Sequence, residues 1–583
     1  MNINKVKYIL KRLCESPPSF LINKAKVELN KKLIYSQSSP LLRHKVSKYY
    51  DRLQEHNRAP LVMRLSNEKL DYLAQRVESY DHGYPCLGYG LVDIYSKGTY
   101  SKDCVHNFDW YTKELSFAID FIKADTCCDI KVPWEKSRLQ WLTEIAILVA
   151  HDRLPIEDVY TRLTNWSNEN PFLYGVNWIS SMEVAIRVMN LVVILLLLEK
   201  EQHKQLNDLL LKLIASHKAY LELYPEISDV PGNHYLATEA GVAAIMYAAG
   251  ESYEPQRLLA LFEQQFPDGG MHLEFSTIYN RLCVDIALIA CALLPDVTSN
   301  KPLSDKLLSM IDSVNMLSSS KALLPIFGDS DSGQVFNFGQ SSREATLYTS
   351  NVPSSKAISI LSELVRSLNP DVWQLVESHQ TKSETSFSLY PYYVMENNTY
   401  KVIVRYGGAG LAGRAPHDHD DVMSFWTFKN GADLIVERGC APYTSDFNYR
   451  EQLISYDSHN QLRRKTEKAR LTHGSVFPIA PVGESEITAN GLKVELKNGV
   501  HRRKLMLTDN GLLITDIWFS DEKCASVFYP VDSAEFDIKF QKGLLSDSCK
   551  KDKFFTEYGA LYTEIKRLYF ELDSKGEYQI EFS

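Results

Sequence analysis

The spacing of apolar residues changes once along this chain, and that change constrains the fold more than any other feature. From about residue 65 to 375, apolar residues recur at three- and four-residue steps in LQWLTEIAILVAHDRL, NWISSMEVAIRVMNLVVILLLLEKE, LNDLLLKLIASHKAYLEL, NHYLATEAGVAAIMYAAG and TIYNRLCVDIALIACALL. That is the spacing of one helix face. Short loops with Pro, Gly, Asp and Asn separate the runs, as in antiparallel helix pairs, and successive helix hairpins build a toroid or a solenoid. From about 385 the period shortens. TYKVIVRYGG, DVMSFWTF, DLIVERG, GLKVELKNG and RRKLMLTDNGLLITDIWF are short β-rich runs divided by turn signals, with Asp509-Asn510-Gly511 a hairpin turn. Many such strands in sequence predict an antiparallel β-sandwich. The expected fold class is therefore multidomain α+β: a helical domain over 65–380, then a sandwich over 381–583, joined at the polar stretch SHQTKSETSF. Residues 1–64 carry KVKYILKRL and LINKAKVELNKKL at helical spacing, and read either as a helical arm wrapping the next domain or as a charged tail.

At 583 residues the chain exceeds what one core usually organises. Its net charge of -9 argues against general nucleic-acid binding but permits a polyanionic ligand in a local basic cleft. Ten scattered cysteines without a CxxC pair fit a reducing compartment. The N-terminus shows no apolar signal core, and the longest aliphatic run, Leu191 to Leu198, is too short to span a bilayer. The expectation is a soluble, cytoplasmic protein without a membrane span, with the periplasm as the alternative. Oligomeric state stays open, a homodimer included.

Chemistry-bearing residues concentrate between His417 and Asn460, in HDHDDVMSFWTFKNGADLIVERGCAPYTSDFNYREQLISYDSHN. In a strand, His417 and His419 share one face. His419, Glu437 and His459 are ordinary zinc ligands, leaving His417 free for proton transfer. The plainer reading is a pair of surface histidines in an acidic loop. Further upstream, Asn233-His234 opens a helix in PGNHYLATEAG, where unpaired N–H groups and a partial positive charge suit an anion such as a carboxylate. Capping alone would explain Asn233 but not His234. Tyr279 sits among Glu274, Asn280 and Arg281, a polar cluster unusual for a core. Glu183 and Arg187 stand at i and i+4, the spacing of a plain surface ion pair.

These motifs together resemble one family. HDHDD, SFWTF, LIVERG, a Tyr-rich loop and SHN are similar to the C-terminal sheet of the heparinase II/III-like polysaccharide lyases. LLPIFGDSDSG resembles that family's GDxDxG loop, NWISSMEVAIR its cleft-lining W-x-x-x-x-E-x-x-x-R helix, and EFSTIY its approach to a catalytic tyrosine. The resemblance implies an incomplete (α/α) toroid followed by the sandwich. It implies catalytic roles for Asn233, His234, Tyr279 and His417. It also implies a structural Zn²⁺ on His419, Glu437 and His459, with Glu437 where the family usually has Asp. Glu183, Arg187, Glu239, Glu274, Arg281 and Tyr443 become candidate substrate-binding residues, with Arg187 facing the cleft. The implied partner is an acidic polysaccharide or oligosaccharide, and the implied reaction is β-elimination at a 4-linked uronic acid, giving 4,5-unsaturated products. Asn233 would neutralise the carboxylate. His234 or His417 would be the base on one face and Tyr279 on the other, according to epimer, a tyrosine base needing its pKa lowered by Arg281 or a histidine; Tyr279 would also be the acid. Secreted members normally carry a signal peptide, so the expectation of none here is a departure from that pattern. Two other readings are a uronosyl C5-epimerase and a non-catalytic glycan-binding or assembly protein of a surface-polysaccharide pathway.

Overall fold

A computed structural model describes residues 16–34, 39–110, 113–121, 128–198, 203–345, 354–381, 384–440, 444–464, 485–555 and 562–582. Up to Ser378 the regular elements of the described chain are helices apart from two short strand pairs; from Ser386 onward antiparallel strands dominate.

Helix Ser181–Leu198 is the centre of the helical region. All 18 of its residues are buried and its mean hydropathy is 2.1. That length and composition would also suit a membrane span, but here neighbouring helices cover every face. Helix Asn233–Ala248 lies closest, because Gly241 has no side chain: a Cβ there would sit 2.9 Å from Cβ of Ala185. Gln140–Ala150, Lys204–Leu223 and Thr277–Ala292 complete the packing around this pair.

A five-stranded antiparallel sheet follows, ordered Ser386–Leu389, Tyr392–Glu396, Tyr400–Arg405, Phe425–Lys429, Ala432–Ile435. Side chains alternate faces along a strand, and both faces of this sheet are covered. Tyr392, Val394, Ile403 and Trp426 point into the helical core, while Tyr393, Met395, Val402, Val404 and Phe425 join a second core. That second core is shared with Leu505, Ile514, Phe528 and Ile580 of an eight-stranded antiparallel sheet. The five-stranded sheet is thus a middle layer, which is why its strands read as continuous apolar runs rather than a polar–apolar alternation.

At the N-terminus, helices Pro18–Leu33 and Pro40–Glu55 form the arm. The second lies on helix Lys204–Leu223 through Lys45–Glu222 (3.0 Å) and Tyr50–Asp208 (2.6 Å). The first is tied by its C-terminal end, where the buried Asn30 donates Nδ2 to the carbonyl of Leu223 (2.9 Å).

Candidate active site

A cleft of about 600 Å³ opens between the helical region and the loops of the middle sheet. Asn233, His234, Tyr279 and His417 all line it. They come from three places: the first turn of helix Asn233–Ala248, the first turn of helix Thr277–Ala292, and the loop before strand Phe425–Lys429.

Tyr279 is set by its helix start. Ser276 caps the helix, its Oγ accepting from the Tyr279 N–H (3.2 Å) while its own hydroxyl donates to the carbonyl of Asp329 (2.6 Å). His417 stacks on Tyr279 with ring centroids 4.0 Å apart and planes at 20°. The loop carrying His417 is held by the GDSDSG loop: the Asp329 N–H donates to the carbonyl of His417 (2.9 Å). Gly328 permits this approach. Its φ is +71°, and a Cβ there would lie 2.6 Å from the same carbonyl oxygen.

Asp329 joins the two histidines of the HxH pair. His417 Nδ1 lies 3.1 Å from Asp329 Oδ2, and His419 Nε2 lies 3.0 Å from Asp329 Oδ1. Arg450, buried on helix Phe447–Ile454, completes the set with two 2.7 Å contacts, one to each carboxylate oxygen. Burial pushes the Asp329 pKa up, but Arg450 and the two histidines more than offset this and hold it well below the usual carboxylate range. A fixed carboxylate at Nδ1 leaves His417 Nε2 on the other side of the ring, 3.5 Å from Glu274 Oε2. Burial also holds the His419 pKa down, to about 4, so that ring is neutral.

Glu274 also holds Asn233: Oε1 accepts from the Asn233 backbone N–H (3.0 Å), and Oε2, the oxygen that faces His417, accepts from its Nδ2 (2.5 Å). His234 Nδ1 lies 2.9 Å from Glu226 Oε2. Burial would lower the His234 pKa, but Glu226 dominates and raises it to about 9. His234 is therefore an imidazolium at neutral pH, suited to holding an anion rather than to removing a proton.

The other candidates divide. Glu183 lines the cleft, but both its oxygens are taken by Arg138, at 2.8 Å each, and not by Arg187. Arg187 is fully buried and does not face the cleft. It donates to His217 Nε2 (2.9 Å) and to the carbonyls of Asn177 (2.8 Å) and Ser137 (3.2 Å), beside Trp166 and Trp178. An apolar helix leaves a guanidinium only such internal partners. Glu239 also lies away from the cleft, accepting from Tyr253 (2.7 Å) and Arg257 (2.5 Å). Arg281 pairs with Asp285 (3.1 Å) and the carbonyl of Ser342 (3.1 Å), so its charge is spent within its own helix and the neighbouring loop rather than at Tyr279. Tyr443 lies outside the described residues. Two residues of the site had no assigned role in the sequence reading. Asp329 was signalled by the GDSDSG loop; Arg450, an arginine on a short polar helix, gave no signal.

His419, Glu437 and His459 lie together, each at most 2 % exposed. Glu437 accepts from Ser424 and contacts His459 Nδ1, and the rings of His419 and His459 are 5.3 Å apart. Among the described residues, His459 Nε2 is buried without a partner. Two imidazoles, a carboxylate and an orphaned ring nitrogen fit a divalent metal in chemistry. The donor group that has its ligand atoms all within 4.8 Å of one another among the described residues is a different one, Asp329, His419 and Cys440. It fits less well. Arg450 already neutralises Asp329, and burial pushes the Cys440 thiol up, away from the thiolate a metal needs.

Comparison with known proteins agrees with this geometry. Residues 379–541 match the family model described as heparinase II/III-like, C-terminal. A crystal structure of a heparinase III superposes with a TM-score of 0.61 at 14% identity, covering 94% of this chain and 92% of the other. A second heparinase III gives 0.55 at 15% identity, covering 95% and 92%. The heparan sulfate lyase HepC from Pedobacter heparinus gives 0.51 at 15% identity, covering 93% and 88%. No curated protein matches the sequence. The chain thus has the fold of the heparinase III structures, a helical region followed by antiparallel sheets. Its similarity to the heparinase II/III-like proteins in sequence is confined to residues 379–541.

Proposed function

We propose that this chain is a polysaccharide lyase that cleaves a uronic-acid-containing glycan by β-elimination. The helical region would form the incomplete (α/α) toroid and the two sheets the sandwich of that family. One observation carries the reading: the stacked Tyr279–His417 pair shares a single cleft with the Asn233–His234 pair. A base, an acid and an anion-holding pair are what elimination at C5–C4 of a uronate requires.

In this reading the cationic His234 and the amide of Asn233 hold the substrate carboxylate, where charge develops as the C5 proton leaves. His417 removes that proton through Nε2. Asp329 at Nδ1 fixes the tautomer, and the resulting imidazolium lies between Asp329 and Glu274. Tyr279 donates its proton to the departing C4 oxygen. For an epimer that presents C5–H on the other face, Tyr279 takes the base role instead. Zn²⁺ on His419, Glu437 and His459 would be structural, holding the sheet end behind His417. The titles of the similar structures name heparinase III and heparan sulfate lyase, which makes heparan-type glycans the first substrates to try.

The test is to incubate purified protein with heparan sulfate, alginate and other uronate polysaccharides and follow absorbance near 230 nm, where a new C=C conjugated to the carboxylate absorbs. Appearance of unsaturated ends supports the reading. Solvent-proton exchange at C5 without chain cleavage would assign C5-epimerase chemistry in its place.

A further inference from the structure

The arm helix Pro18–Leu33 has an inward stripe that does not do what such stripes usually do. Phe20, Asn23 and Val27 recur at helical spacing on one face, continuing to Asn30. Only Asn30, at the anchored end, is buried; the other three are partly exposed. The reason is that they face the cleft. Phe20, Asn23, Lys24 and Val27 line the same space as His417 and Asn233.

Charge singles out one of them. The cleft is lined by several carboxylates, and each has a partner. Glu183 pairs with Arg138, Glu226 with His234, Asp229 with Arg414 (2.6 Å), and Asp331 with Lys131 (2.6 Å). Glu274 is held by Asn233. Among the described lining residues, Lys24 is the lysine or arginine that forms no ion pair; Glu28, one turn along the same helix, feels its charge but pairs with Lys31 (2.8 Å). Its ammonium sits 5.8 Å from the ring of Phe20, so cation and flat ring are presented together. Phe121 and Trp134 add further aromatic faces to the same cleft.

We propose that the N-terminal arm is a wall of the glycan-binding cleft, with Lys24 receiving an acidic group of the substrate and Phe20 packing on a sugar ring. This rests on the lyase reading above, and deepens it by assigning substrate contact to a segment outside both large domains. The arm is anchored on helix Lys204–Leu223, whose C-terminal end runs into the loop carrying Glu226 and then Asn233 and His234. Arm and anion-holding pair are therefore mounted on one support, so their spacing is fixed by the fold.

The experiment is steady-state kinetics of Lys24→Glu, Lys24→Arg and Phe20→Ala on the uronate glycan that the wild type cleaves, at low and at 0.5 M salt. Lys24→Glu should raise KM about 3- to 10-fold at low salt, with kcat within about twofold and an unchanged melting temperature. The KM effect should shrink at high salt, and Lys24→Arg should restore the wild-type value. Phe20→Ala should raise KM at both salts. A KM unchanged in both Lys24→Glu and Phe20→Ala, with the wild type active, overturns the assignment of the arm and leaves the lyase reading standing. A wild type that cleaves none of the glycans overturns both. Binding of the same glycan to His417→Ala, compared with the His417→Ala/Lys24→Glu double variant by calorimetry, separates affinity from turnover. Equal affinities there also reject the proposal.

Discussion

His417 and Asp329 meet twice: side chain to side chain at 3.1 Å, and Asp329 N–H to His417 carbonyl at 2.9 Å. One loop of the helical region therefore fixes both the position and the ring orientation of a histidine presented by the sheet region. Arg450 and His419 bind the same carboxylate, so the contact is braced from behind.

Replacing Asp329 by Asn keeps the size but removes the charge that holds His417 in one tautomer. Loss of an equivalent carboxylate behind a catalytic histidine costs several orders of magnitude in kcat elsewhere. Asp329→Asn is expected to lower kcat by on the order of 10²-fold or more, with a much smaller change in KM. A kcat within a few-fold of wild type, measured on correctly folded protein, would show that the pairing does not serve catalysis.

Tyr279→Phe retains the ring that stacks on His417 and removes only the hydroxyl. Proton transfer by a positioned side chain contributes roughly 10²- to 10⁴-fold. Activity is expected to fall by about that factor, with an unchanged melting curve. Normal turnover would take the tyrosine out of the mechanism.

The His234 pKa, raised to about 9 by Glu226, sets a pH limit. A raised pKa means that the favourable Glu226 contact is fully present below the ordinary histidine value near 6.5, and is lost as pH climbs through about 9. The cation proposed to hold the substrate carboxylate disappears over the same range, so kcat/KM should decline there through a rise in KM. Glu226→Gln should move that decline to lower pH. A profile identical in the two proteins would dissociate His234 charge from binding.

Glu437→Ala removes the partner of His459 and one proposed zinc ligand. It should lower both the melting temperature and the zinc measured in the purified protein. Unchanged values for both would refute the metal assignment.

Arg187→Ala provides a contrast. The buried guanidinium makes three hydrogen bonds and packs against two tryptophans, outside the cleft. Its removal should cost about 3 kcal/mol or more of stability. Whatever protein remains folded should keep the wild-type KM. A KM-specific defect without destabilisation would return Arg187 to the substrate site.

What the sequence determined by itself was the periodic part. The three- and four-residue spacing of Ser181–Leu198, and the short β-rich runs after residue 385, each satisfy a local geometric rule. The HxH, Asn-His and Tyr motifs were legible because their residue types are unusual beside an apolar run. What only the tertiary structure decided was partnership. Glu183 and Arg187 stand four residues apart, yet they turn to Arg138 in a turn and His217 on another helix. Asp329 and Arg450 became central because folding brought a Gly-bounded loop and a short helix to one histidine. A buried charge takes whichever partner the packing presents, and sequence spacing carries no information about partners more than a turn or two away.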